Sequence, residues 1–207
     1  MTLYDALVEK YGFNEPIVSS EITFKSYSRP WIYKQLNMLC EEEKLVRYEK
    51  GIYYIPTETV FGKSLLNPRK VIEKKYVNNG ENIIGYYSGI AFQNQLKITT
   101  QMSNVIEIYT NNETTNVREV VVGKQKVILR KARTFITNEN VGVLSFLELM
   151  NDIVPRALDD EKKSRIIDYI NSNGISKNDI ISYAKVFPDK VMRNLIESEA
   201  IFSVAQW

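Results

Sequence analysis

Two spacings of apolar residues run along the chain. Ile32, Leu36 and Leu39 recur at the helical period, while Pro30, Tyr33, Lys34 and Asn37 fall on the other side of the same wheel. This predicts an amphipathic helix with an outward polar stripe. Ser28 stands where a cap is needed, and Pro30 lies in the first turn, where its missing N–H costs nothing. After the acidic run Glu41, Glu42 and Glu43, the period shortens to two. Residues 45–48 and 52–55 read as short strands around Glu49, Lys50 and Gly51, with Val46 and Ile52 extending the apolar side of the helix.

Upstream, residues 2–11 predict a short helix with Thr2 as cap and Leu3, Ala6 and Leu7 on one face. Residues 16–24 predict a second short helix, with Ile17, Val18 and Ile22 beneath the third. Three short helices and a two-stranded ribbon within residues 1–57 are expected to form a winged helix-turn-helix. Its third helix would enter the major groove and its wing would follow the backbone.

Residues 56–66 read as a linker and 68–76 as a helix. Gly62, Lys63 and Ser64 invite a phosphate-loop reading, but that motif needs a glycine where Thr57 stands. Residues 83–87, 105–109, 117–122 and 126–129 predict strands and 88–96 a helix capped by Ser88. The region 58–137 is therefore expected to be an α+β domain with a small antiparallel sheet. Residues 138–207 predict helices only. Leu144, Leu147 and Met150 stripe the first, and Asp159, Asp160 and Glu161 start the second, which packs through Ile166, Ile167 and Ile170. Ser176 caps the third, which packs through Ile180, Ile181 and Ala184. A last helix runs over 189–201 with Val191, Leu195 and Ile196. The predicted class is α+β throughout, in three segments: 1–57, 58–137 and 138–207.

Composition narrows the chemistry. The chain has no histidine, which removes Cys/His zinc sites, Ser-His-Asp triads and Cys-His dyads. No metal site, cofactor or catalytic constellation is expected, and the chain reads as a non-enzyme. The single cysteine, Cys40, sits beside Leu36 and Leu39 and reads as core filling in a reducing compartment. No apolar run reaches the roughly 18 residues of a membrane span, and Asp5 and Glu9 interrupt any signal-peptide core, so a cytoplasmic location is expected.

The net charge of +2 is unevenly spread: −1 over 1–57, +6 over 58–135 and −3 over 136–207. A near-neutral first segment counts against DNA binding, but Lys25, Arg29, Lys34, Arg47 and Lys50 gather around the predicted helix start and wing. The candidate base-reading residues are Arg29, Tyr33, Lys34 and Asn37, since lysine can read guanine and asparagine adenine. Lys25, Arg47 and Lys50 are the candidate phosphate contacts. A second basic surface is expected from Lys124, Lys126, Arg130, Lys131 and Arg133. It suits nucleic acid or an acidic partner, or is a solvated strand face. The competing reading is a protein- or RNA-interaction module whose winged helix reads no DNA.

The order of segments also resembles a known family. A wing strand Gly51-Ile52-Tyr53-Tyr54 is followed by GKSLLNP, then by Ser88-Gly89 through Leu96 with Thr99-Thr100-Gln101, then by Arg130 to Thr134 and a helical tail. Over roughly residues 1–200 this is similar to the AbiEi family, antitoxins and transcriptional regulators of type IV toxin–antitoxin systems. The resemblance implies an autorepressor that binds its own promoter as double-stranded DNA, with homodimerisation on paired half-sites plausible for such regulators. It also implies opposition to a nucleotidyltransferase-like toxin without a stable toxin complex. The helical tail is short for the family members that carry antitoxicity there.

Overall fold

The computed structural model describes residues 1–25 and 27–199. The chain is α+β and divides into two compact units, residues 1–72 and 73–207.

In the first unit, α1 (Leu3–Tyr11) is held by a reciprocal capping box between Thr2 and Asp5, and Gly12, at φ 73°, lets the chain leave it. The predicted helix over 16–24 does not form. Ile17–Val18 is instead a strand, β1, and Ser19–Glu21 a single 3₁₀ turn. The β-branched pair has a better option than a helix: β1 lies antiparallel to β3 (Ile52–Tyr54), with Ile17 opposite Tyr53, and the Ser19 N–H donates to the Gly51 carbonyl. β2 (Val46–Glu49) flanks β3 on its other side, giving the order β1-β3-β2.

The helix α2 (Arg29–Glu41) forms where the periodicity placed it, burying Ile32, Leu36 and Leu39. The Ser28 hydroxyl, however, makes no capping bond; its carbonyl accepts from the Ile32 N–H. Leu3, Leu7, Ile17, Ile22, Leu45, Tyr53 and Ile55 meet α2 in one core. Each such side chain contributes about 1.5–3 kcal/mol on leaving water. The expected linker contains a small hairpin, β4 (Glu58–Thr59) and β5 (Gly62–Lys63). The boundary between the units falls within α3 (Pro68–Tyr76).

The second unit holds β6 (Gly85–Ser88), α4 (Gly89–Gln95), β7 (Val105–Thr110), β8 (Val117–Val122) and β9 (Gln125–Lys131). They are followed by α5 (Val141–Asp152), α6 (Asp160–Ser172), α7 (Lys177–Ala184) and α8 (Lys190–Glu197). The four-stranded sheet has the order β6-β7-β9-β8 and is mixed, not purely antiparallel as expected. β9 returns from its hairpin with β8 to lie parallel to β7, Ile108 beside Leu129.

The expected division at residue 137 is also absent. Tyr86, Phe92 and Tyr109 share one core with Leu144, Phe146, Leu147, Ile166, Ile180, Val191 and Leu195, so sheet and helices fold as one layer on another. Asp159 and Ser176 cap α6 and α7 as expected. Ile181 and Ile196, expected to pack, are exposed. The expected end of the last helix, residues 200–201, lies outside the described residues. No helix among the described residues is long and apolar enough to cross a membrane.

Candidate nucleic-acid interface

α2 turns one stripe toward solvent. Arg29, Pro30, Tyr33, Lys34, Asn37 and Met38 are all exposed, because the same helix commits Ile32, Leu36 and Leu39 to the core. The four candidate base-reading residues therefore share one surface. They are not equally free. Arg29 donates from Nη1 to the carbonyls of Ser19 at 3.2 Å and Ile22 at 3.1 Å, tying the 3₁₀ turn and the strand-like segment after it to the helix start. Its first duty is to hold the approach to α2, which narrows the expectation that it reads bases.

Lys25 sits beside this helix start in a left-handed conformation, φ 48°, with its ammonium 5.1 Å from the Phe24 ring centroid. Phe24, Tyr27 and Trp31 form a near-parallel aromatic stack in which Tyr27 and Trp31 lie 3.9 Å apart. Tyr27 keeps 46% of its surface exposed. Sequence reasoning missed this group, although the 24, 27, 31 spacing was a visible signal. At the hairpin, Lys50 and Arg47 are exposed, and Arg47 Nε leans on the Glu49 carbonyl at 3.4 Å. Gly51, at φ 82°, makes this tight turn possible.

The far end of α2 is acidic. Glu41, Glu42 and Glu43 are exposed, and an ion pair with Lys63 holds the Glu43 carboxyl below the usual range. The helix is thus polarised, with cations at its start and carboxylates at its end. Burial pushes the Cys40 thiol up, in keeping with its packing against the core of the first unit. The Gly62, Lys63, Ser64 triplet belongs to the hairpin β4–β5. Lys63 is spent on Glu43, and the Ser64 hydroxyl accepts from the Thr57 N–H, so no phosphate cradle is formed.

The second basic surface is smaller than expected. Lys124, Lys126 and Lys131 are exposed, but Arg130 pairs with Glu107 at 3.0 Å. Arg133 turns inward to Glu148 and lies over the rings of Tyr109 and Phe187. Alternation along β9 hid this, because Arg133 follows the strand's end and obeys the helix packing beneath it. Burial beside Glu148 raises the Tyr109 hydroxyl to about 12, so that group stays protonated and donates to Glu148.

In a cleft near Lys97, Thr99, Thr100, Lys162 and Arg165, Arg165 binds the Lys97 carbonyl and Glu161, and Lys162 pairs with Asp159. Among the described residues no cluster of three His, Cys, Asp or Glu could hold a metal ion. No protein-family model matches the chain, and no curated protein matches it.

Proposed function

We propose that this protein is a cytoplasmic DNA-binding transcriptional regulator that represses its own promoter, an antitoxin of the AbiEi kind. The observation that carries the reading is the polarised α2: one exposed face with Tyr33, Lys34 and Asn37, cations at its start and at the β2–β3 turn, acid at its far end. The order helix, strand, short turn, helix and two-stranded ribbon, with the first strand completing the ribbon's sheet, supports a winged helix-turn-helix. In this reading α2 enters the major groove, Lys34 and Asn37 meet base edges, and Lys25, Arg47 and Lys50 meet phosphates.

A gel shift with the gene's own upstream duplex tests it. Retarded specific duplex in the presence of excess random duplex supports the reading, and no shift at low salt overturns it. The antitoxin half rests on the resemblance of segment order, and its target would be a nucleotidyltransferase-like toxin opposed without a stable complex. Co-expression with such a toxin from the adjoining gene tests that half by growth. The alternative, a protein- or RNA-binding module, draws on the −1 net charge of residues 1–57. It is the reading that survives a failed gel shift.

A further inference from the structure

A turn and a helix start bring three aromatic rings together in the first unit. The Tyr27 N–H donates to the Phe24 carbonyl at 3.2 Å, and between them Lys25 takes the left-handed conformation, φ 48°, that residues with a side chain rarely adopt. This sets Tyr27 beside Phe24 and over Trp31, with the three ring planes within 13° of one another. Phe24 is 7% exposed and Trp31 packs on the core of the unit, so the pile is rooted in the fold. Tyr27 is its open end. It stacks on Trp31 at 3.9 Å, yet 46% of the residue remains in water. Core burial does not account for that third ring, whereas a platform on which another flat ring can stack requires it.

Rings alone would serve a proline-rich peptide equally well, and charge decides the occupant. From residue 21 to residue 40 the chain carries Lys25, Arg29 and Lys34 against Glu21 alone, a net of +2 inside a segment 1–57 that sums to −1. All three cations are exposed. Lys25 holds its ammonium 5.1 Å from the centroid of the Phe24 ring, and Lys34 follows Trp31 by about one turn of α2. A polyanion whose own rings are free to stack fits both features. In a duplex each base face is already covered by its neighbours, so the base must come from a single strand.

We propose that Tyr27 is a stacking platform for single-stranded nucleic acid: an unpaired base lies against the open side of the Tyr27 ring, and Lys25 and Lys34 meet the flanking phosphates. This activity needs no operator sequence and stands apart from duplex reading by α2.

Fluorescence anisotropy of a labelled oligo(dT) of about ten nucleotides, titrated with the full chain at low salt, tests it. The second probe is an abasic strand of the same length, which keeps the phosphates and lacks the bases. The wild type should bind oligo(dT) about tenfold more tightly than the abasic strand. Tyr27→Leu should bind both strands alike, at the abasic level, and its retained abasic binding separates a lost platform from a lost fold. Tyr27→Phe, which keeps the ring, should keep the preference for oligo(dT). Lys25→Asn, whose side chain tolerates the left-handed conformation, should lower the salt slope on both strands by about 0.7. No oligo(dT) binding at low salt, equal wild-type affinity for the two strands, or a Tyr27→Leu chain that still prefers oligo(dT) would overturn the proposal. A failed gel shift on the upstream duplex leaves each of these readouts standing.

Discussion

Arg133 and Glu148 meet at two points, Nε to Oε2 at 2.9 Å and Nη2 to Oε1 at 3.1 Å, and Glu148 keeps only 2% of its side-chain surface in water. The carboxylate also accepts from the Tyr109 hydroxyl at 3.1 Å and Asn151 Nδ2 at 2.9 Å. Four donors satisfy a charge that the interior could not otherwise hold, and they join β7, α5 and the segment after β9.

Arg133→Ala is therefore expected to strand a buried charge. The cost should be about 3 kcal/mol, the low end of the usual range because the guanidinium is partly open to water. Arg133→Lys recovers part of it, lacking the planar fork. The double variant Arg133→Met/Glu148→Leu should cost less than the sum of its single changes, which urea unfolding at constant m would show.

Asp152 predicts a pH dependence of opposite sign to the usual carboxylate. Burial, then the neighbouring charges of Glu148 and Glu107, raises its carboxyl to about 6, against an ordinary value of 3.8. Between those values the folded chain holds a proton that the unfolded chain has released, so this group favours folding as pH falls from 7 toward 4. The Asp152 residue as a whole is nonetheless exposed, so screening by solvent trims the effect. The carboxylate accepts from the Ser88 hydroxyl at 3.5 Å and from the Gly89 N–H, and Asp152→Asn, which can still accept from both, should melt higher than wild type at pH 7, with the gap closing toward pH 4. A constant gap across that range would refute the assignment.

Gly85 predicts the sharpest intolerance. A methyl there would stand 2.0 Å from the Tyr76 carbonyl oxygen and 2.7 Å from that of Tyr109, both backbone atoms that cannot step aside. Gly85→Ala should cost at least about 3 kcal/mol or abolish soluble expression. Gly80→Ala, at a turn with open space around it, should lose far less even with its φ of 111°.

Legibility in the sequence followed the range of the interaction. α2 and the β2–β3 ribbon were readable because Ile32, Leu36 and Leu39 and the alternation about Gly51 are local patterns. The strand at Ile17 was not, since its partner Tyr53 lies 36 positions on and a short apolar run fits either period. The parallel pairing of β7 with β9 is likewise a long-range choice. Counting charges overstated the second basic surface: Arg130 and Arg133 look like Lys126 in the sequence, and only Glu107 and Glu148 across the fold distinguish them. The β4–β5 hairpin was hidden because strands of two residues carry no period at all.

The proposed DNA interface yields the last prediction. Lys34 and Asn37 lie on the exposed face of α2, whereas Arg29 is tied to Ser19 and Ile22. Lys34→Ala or Asn37→Ala should each lose about 1–3 kcal/mol on specific duplex and little on random duplex, because a lost base contact is a lost discrimination. Lys50→Ala, at the ribbon turn, should weaken both alike and lower the salt slope by about one unit. Arg29→Ala should differ from all three by lowering the melting temperature along with affinity, since the loop leading into α2 loses its clamp. Titrations on both duplexes at two salt concentrations, with melting curves, separate these patterns. Equal losses on both duplexes for Lys34→Ala and Asn37→Ala would remove α2 from base reading.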